Sequence, residues 1–170
     1  AYCWMSYMEP MLTEVTGFTT GNMTWVMIIA GSGMVTGGLV AGKLADKYKP
    51  AFVSGMATII LTFLMPLIYF CAPFKVPSIL FMFIAAACLF AIGGPMQYLI
   101  VKFAPGGEML GGAGIQIAFN VSNAMAAALG GFAIHAGWGI ASPALVGIPF
   151  AIIASVIFMT LHHRYGSQGA

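Results

Sequence analysis

Charge is what this sequence has least of. Among its 170 residues are 6 Lys and Arg and 4 Asp and Glu, so 6% of the chain is charged, where soluble domains carry about 25%. So few charges cannot coat a water-facing globule, and they exclude a soluble domain and a disordered tail. Cysteine is scarce as well. Cys3, Cys71 and Cys88 form no CxxC or Cys/His spacing, which excludes a disulfide scaffold and leaves no expected metal or cofactor. A net charge of +2 is too small for a nucleic-acid partner. No basic leader followed by a small-residue cleavage site is present, so no signal peptide is expected.

What is abundant is apolar. Hydrophobic residues make up 61% of the chain, with 22 Gly and 13 Met. Crossing about 30 Å of hydrocarbon takes about 20 apolar residues. Five stretches are long enough: 23–45, 51–71, 78–102, 110–136 and 142–161. A sixth, 1–15, reaches only about 22 Å at 1.5 Å per residue. It is expected to be the outer part of a helix whose start lies outside this sequence. Irregular backbone is costly in lipid, so the spans should be helices. The expected fold is an all-α membrane protein, one six-helix transmembrane bundle over 1–170 with its first helix incomplete. The breaks are turn-rich: 17–22, Lys47-Tyr48-Lys49-Pro50, 73–77, 104–107 and Gly137-Trp138-Gly139.

If the spans alternate, Lys43, Lys47, Lys49, Lys102 and Arg164 fall on one side and Lys75 on the other. The positive-inside rule then puts the C-terminus in the cytoplasm. A multi-pass protein of the inner (plasma) membrane is expected, with lipid as a partner.

Polar residues inside the spans are few and therefore informative. Gln116, Asn120 and Asn123 are spaced by four and three. At about 100° per residue they fall within about 60° of one another, one polar stripe on an apolar helix. Such a stripe either hydrogen-bonds a neighbouring helix or faces a wet cavity. Glu9 is an acid well inside a span: either it is buried, where a carboxylate could exchange protons, or it is a hydrated acid near the outer rim. Pro10 follows it and cannot donate to the Ser6 carbonyl, which favours a bend. Tyr7 either shares the site of Glu9 or faces lipid. Pro66 and Pro95 lie mid-span, and Gly93-Gly94-Pro95 reads as a hinge. The ladder Gly33, Gly37, Gly38 and Gly42 permits close helix contact, for packing or for a sliding seam. Trp25 and Trp138 read as outer interface anchors. His135, His162 and His163 read as solvated helix ends.

The stretch Gly42-Lys43-Leu44-Ala45-Asp46-Lys47-Tyr48-Lys49 resembles the loop signature of the major facilitator superfamily, Gly-x-Leu-Ala-Asp-Arg/Lys-x-Gly-Arg/Lys. Asp46 and Lys47 match it; the later Gly is lost and Pro50 follows. Gly94-Pro95-Met96-Gln97, Phe119-Asn120-Val121-Ser122-Asn123-Ala124, Leu129-Gly130-Gly131 and Ser142-Pro143 are similar to the C-terminal half of arabinose-efflux-permease-like and nucleoside-efflux-like transporters. These belong to the drug:proton antiporter group. Tyr7-Met8-Glu9-Pro10 resembles the outer part of their seventh helix. The resemblance implies helices 7 (partial) to 12, with helices 1 to 6 absent. It implies half of a secondary transporter, not an enzyme, exporting a sugar, nucleoside or drug against protons. Glu9 is then the candidate for proton coupling. Tyr7, Gln97, Gln116, Asn120 and Asn123 are candidates for the substrate cavity. Asp46 and Lys47 form a conformational latch, and Pro10, Gly94 and Pro95 are hinges. The implied partners are a small-molecule substrate, protons, and a missing N-terminal half or a second copy.

Two other classes stay open. A non-transporting assembly subunit needs neither the amide stripe nor the acid. A six-helix intramembrane serine protease would use Ser32, in Gly31-Ser32-Gly33, with His135. Ser32 lies roughly 13 Å into its span, whereas His135 is near a rim.

Overall fold

A computed structural model of the chain describes residues 5–18, 20–103 and 105–165. Residues 1–4 of the first expected span, Thr19 and Ala104 in two of the expected breaks, and residues 166–170 lie outside the described set. The described residues form short helix α1 (Met8–Pro10), continued by a π-helical segment (Met11–Val15), and five long helices. These are α2 (Thr20–Lys47), α3 (Pro50–Cys71), α4 (Lys75–Phe103), α5 (Glu108–His135) and α6 (Ser142–Tyr165). All five are long and apolar enough to cross a membrane. Their ends run past several of the apolar stretches, because Lys47, Lys75 and Lys102 are accommodated within the helices. A long amphipathic stem lets such a side chain reach the interface.

Local chemistry explains the joints. Lys49 precedes α3 in an extended conformation and Pro50 occupies its first turn, where the missing N–H removes no helical bond. α5 ends with Gly137 at φ +82°. Trp138 N–H donates to the Ala133 carbonyl at 3.2 Å, and Gly137 N–H to Ile134 at 3.0 Å. This is the left-handed glycine cap that satisfies terminal carbonyls. The prolines at 66, 95 and 149 all lie inside continuous helices.

Two of the three main packing pairs join helices that are not neighbours in sequence. α2 packs chiefly on α4, and α3 packs on both α4 and α6; α5 makes lighter contact with α4 and α6. α3 is thus the most buried span and α5 the least. The core gathers Met8, Met11 and Leu12 of the first segment with Leu61, Met65 and Met82. The link between α3 and α4 is tied by hydroxyls. Thr16 Oγ1 donates to the Ala72 carbonyl at 2.7 Å, and Ser78 Oγ reaches the same oxygen at 3.3 Å. They satisfy a carbonyl that the end of α3 leaves without a helical partner.

The glycine ladder of α2 divides into two faces. A Cβ on Gly33 would lie 2.7 Å from the Phe83 carbonyl oxygen, and one on Gly37 would overlap the Ala87 backbone. Gly38 and Gly42 face open space. Only the first pair therefore seats α2 against α4, where two backbones nearly touch.

This division sets up a contrast. Gly37→Ala should destabilise the bundle by about 1–3 kcal/mol, the usual cost of overpacking. Gly38→Ala should stabilise it by about 0.5–1 kcal/mol, through helix propensity alone. Reversible unfolding in detergent measures both. Equal effects at the two positions would contradict the seating of Gly37 on Ala87.

Candidate functional site

The amide stripe of α5 meets a matching face of α4. Gln116, Phe119, Asn120 and Asn123 line a groove of about 370 Å³ together with Leu89, Phe90, Gly93, Gly94 and Gln97. Each wall repeats one spacing. On α5 it is 116, 119, 120, 123; on α4 it is 90, 93, 94, 97. Offsets of three, four and seven put residues on a single helix face. The glycines of α4 keep its wall low, so the side chains of α5 have room. On α5 the polar stripe borders the packed face, marked by buried Ile115, Ala126, Gly130 and Ala133.

All four amide residues of the groove are exposed on this chain. None of their side chains hydrogen-bonds to another described residue. Each amide therefore keeps two donors and an acceptor available. Phe119 is half-buried beside them and Phe90 is exposed. The groove thus offers flat apolar surfaces next to uncharged hydrogen-bonding groups. Phe90 has no role in the sequence reading, Gly93 enters it only as part of a hinge, and Phe119 only within the stretch that carries the family resemblance. The repeat of the α5 spacing on α4 is the signal that points to them.

Tyr7 lies elsewhere. Its ring rests on α5 one turn beyond Asn123, and its hydroxyl donates to the Ala127 carbonyl at 2.6 Å. A Cβ at Gly130 would come within 2.6 Å of the ring, and one at Gly131 within 2.7 Å of the hydroxyl oxygen. These two glycines make the seat. Tyr7 is half-buried and is not among the groove's lining residues.

Glu9 is exposed on this chain. It turns away from the face of α1 that packs through Met8. Pro10 has no N–H, and the chain shifts to π-helical bonding immediately after it. Thr16 N–H donates to the Met11 carbonyl at 3.2 Å, and Thr13 Oγ1 donates to the Glu9 carbonyl at 2.9 Å. The break expected at Pro10 is thus a widened turn whose carbonyls find side-chain and backbone donors. Such π segments are rare and concentrate at functional sites.

Gly94 borders a second pocket, of about 630 Å³, with Pro95, Tyr98 and Lys102 of α4 and with Asp46, Lys47, Tyr48 and Lys49 from the α2–α3 joint. Asp46 and Lys47 are both exposed. The Lys47 ammonium lies over the Tyr48 ring, 5.7 Å from its centre. Pro95 is buried. No group of three or more His, Cys, Asp or Glu that could hold a metal ion occurs among the described residues.

The major facilitator superfamily pattern matches residues 2–168. The chain belongs to the Major Facilitator Superfamily. It is 36% identical over 172 residues to the protein named "Putative transporter AraJ" of Escherichia coli strain K12, covering 99% of this chain and 43% of that protein. It is 30% identical to the inner membrane transport protein YdhP of Escherichia coli O157:H7, covering 91% of this chain and 39% of that protein. An uncharacterized MFS-type transporter, YfhI of Bacillus subtilis strain 168, is 26% identical, with 93% and 39% covered. The chain spans about two fifths of the length of the curated relatives it matches. No solved structure matches it. The family is one of transporters, not of enzymes, and the serine-protease alternative falls with it. Ser32 Oγ, moreover, donates to the Ile29 carbonyl of its own helix at 2.7 Å.

The Tyr7 contact is testable on the chain itself. Tyr7→Phe should lower stability by about 0.6 kcal/mol and by no more than about 1.7, the average and the maximum measured for interhelical hydrogen bonds in a membrane protein. Unfolding in detergent reports it. An unchanged midpoint would mean that the bond to Ala127 contributes nothing.

Proposed function

We propose that this chain supplies one wall of the substrate path in a proton-coupled exporter of a small molecule, working by alternating access. The observation that carries this reading is the gathering of four amides, unpartnered among the described residues, and two phenylalanines in one groove between α4 and α5. Polar side chains within membrane helices mark substrate paths when they face a cavity. The groove's chemistry suits a sugar, a nucleoside or a drug bearing hydroxyl or amide groups. The opposite wall comes from a companion six-helix half or from a second copy.

In this scheme the remaining residues have separate tasks. Glu9 exchanges the coupling proton, beside a π-helical turn that can change register. Asp46 and Lys47 latch one conformation at the end of α2. Gly94 and Pro95 act as the hinge, since Gly94 borders both the amide groove and the latch pocket. The membrane is the inner (plasma) membrane, with the α2–α3 joint and the C-terminus in the cytoplasm. Two observations support placing these segments on one side, and the positive-inside rule makes that side the cytoplasm. Lys47, Lys49 and Lys102 surround one pocket, and the His162 ring near the end of α6 lies 5.3 Å from Phe52 at the start of α3.

Two variants of the complete transporter separate binding from coupling. Proteoliposomes are first screened with sugars, nucleosides and drugs, and the exported compound is then used throughout. Asn120→Leu should weaken binding by about 1–3 kcal/mol, because a polar group of the substrate loses its partner. Calorimetry checks this, and unchanged affinity would reduce the stripe to packing. Glu9→Gln keeps the shape of the side chain and removes its charge. It should flatten the pH dependence of flux while substrate binding persists. A pH profile like that of the unsubstituted transporter would place the coupling acid outside this chain.

A further inference from the structure

The pocket at the α2–α3 joint adjoins a larger apolar groove. This groove, of about 820 Å³, runs between α2 and α3 over a floor made by α4. Val40, Leu44, Phe52, Met56, Phe83 and Ala91 are among its lining residues. Tyr48 lines both the groove and the pocket below it. The gap exists because α2 and α3 each pack on α4 and touch one another little. At its lower end, Lys47, Lys49 and Lys102 face a shared space of about 630 Å³ that holds one acid, Asp46. Lys47 closes α2 and Lys102 lies in the last turn of α4, so this basic pocket is at the level of the membrane interface.

We propose that this paired pocket and groove is a binding site for an anionic phospholipid of the inner leaflet. Its phosphate sits among Lys47, Lys49 and Lys102, and an acyl chain lies along the groove past Tyr48. Charge complementarity selects this occupant. An apolar helix laid over the same face would bury ammonium groups without partners, which is costly. A soluble phosphate has nothing to fill the apolar groove. An anionic lipid offers both parts in the right order, with charge at the interface and hydrocarbon above it. Basic pockets between helices on the cytoplasmic side hold anionic headgroups by the same physics. The site is separate from the amide groove. Gly94 borders both the basic pocket and the amide groove, so a lipid seated here rests against the α4 segment that lines the substrate wall.

The purified 170-residue chain in detergent micelles tests this by native mass spectrometry. Phosphatidylglycerol and phosphatidylcholine with identical acyl chains are the probes. Phosphatidylglycerol should be retained at least about tenfold more strongly, since each lysine near an anionic headgroup contributes about fivefold. Replacing the three lysines together, Lys47→Gln, Lys49→Gln and Lys102→Gln, should abolish the preference. The corresponding triple Lys→Arg variant should keep it, and so should Lys75→Gln at the opposite end. Filling the groove with Val40→Trp and Met56→Trp should also release the lipid, and glycerol phosphate should not displace it. Circular dichroism on each variant confirms that helicity is retained. Equal retention of the two lipids overturns the proposal, as does a preference that survives the triple Lys→Gln change. Displacement by glycerol phosphate, with the groove-filled chain still binding, would assign the lysines to a soluble phosphate instead.

Discussion

A bilayer core contains no water, and that constraint shapes this chain. Lipid tails are as apolar as leucine side chains, so burying leucine between helices gains little over leaving it in lipid. Helices are held instead by close backbone approach and by polar contacts that have nowhere else to go. Gly33 and Gly37 let α2 lie on α4 with almost no side chain between them. Thr16 and Ser78 close the end of α3. Tyr7 fixes the first segment to α5 through the Ala127 carbonyl, on a seat that only glycines can make. Each device sits where two helices meet.

The same constraint makes the amide groove meaningful. Unlike the hydroxyls of Thr13, Thr36 and Thr58, which return to their own helix, the amides of Gln97, Gln116, Asn120 and Asn123 stay unpaired among the described residues. Three of the four, Gln116, Asn120 and Asn123, stand on α5, the helix that the bundle packs least. A wall with polar groups and a light hold on its neighbours suits a surface that receives a substrate and then moves. α4 connects this wall to the joint beneath it, because its Gly94 takes part in both.

Much of this was legible in the sequence, for physical reasons. Low charge and long apolar runs leave only helices as spanning structure, and an all-helical fold is what forms. The four-and-three spacing of Gln116, Asn120 and Asn123 placed them on one face, because helical geometry is local. Contacts between distant segments were not legible. That α2 packs on α4, or that Tyr7 meets residues 120 positions away, depends on three-dimensional fit. The sequence leaves the surroundings of Glu9 open for a related reason, since depth along a helix does not say which side is covered. The π segment after Pro10 was foreseen only as a bend. Which carbonyls find donors depends on where Thr13 and Thr16 fall, and the sequence pattern does not weigh that.

The central claim is that the amide face of α5 lines a water-accessible groove. Single-cysteine accessibility tests it most directly. The native cysteines are replaced by serine or alanine in the complete transporter, and single cysteines are placed along α5 in intact membranes. A membrane-impermeant thiol reagent should label Gln116→Cys, Asn120→Cys and Asn123→Cys. It should spare Ile115→Cys and Ala126→Cys, which point into the packed bundle, and substrate should protect the three labelled sites. Protection from the reagent along the whole amide face, with label at the buried positions instead, would contradict the account.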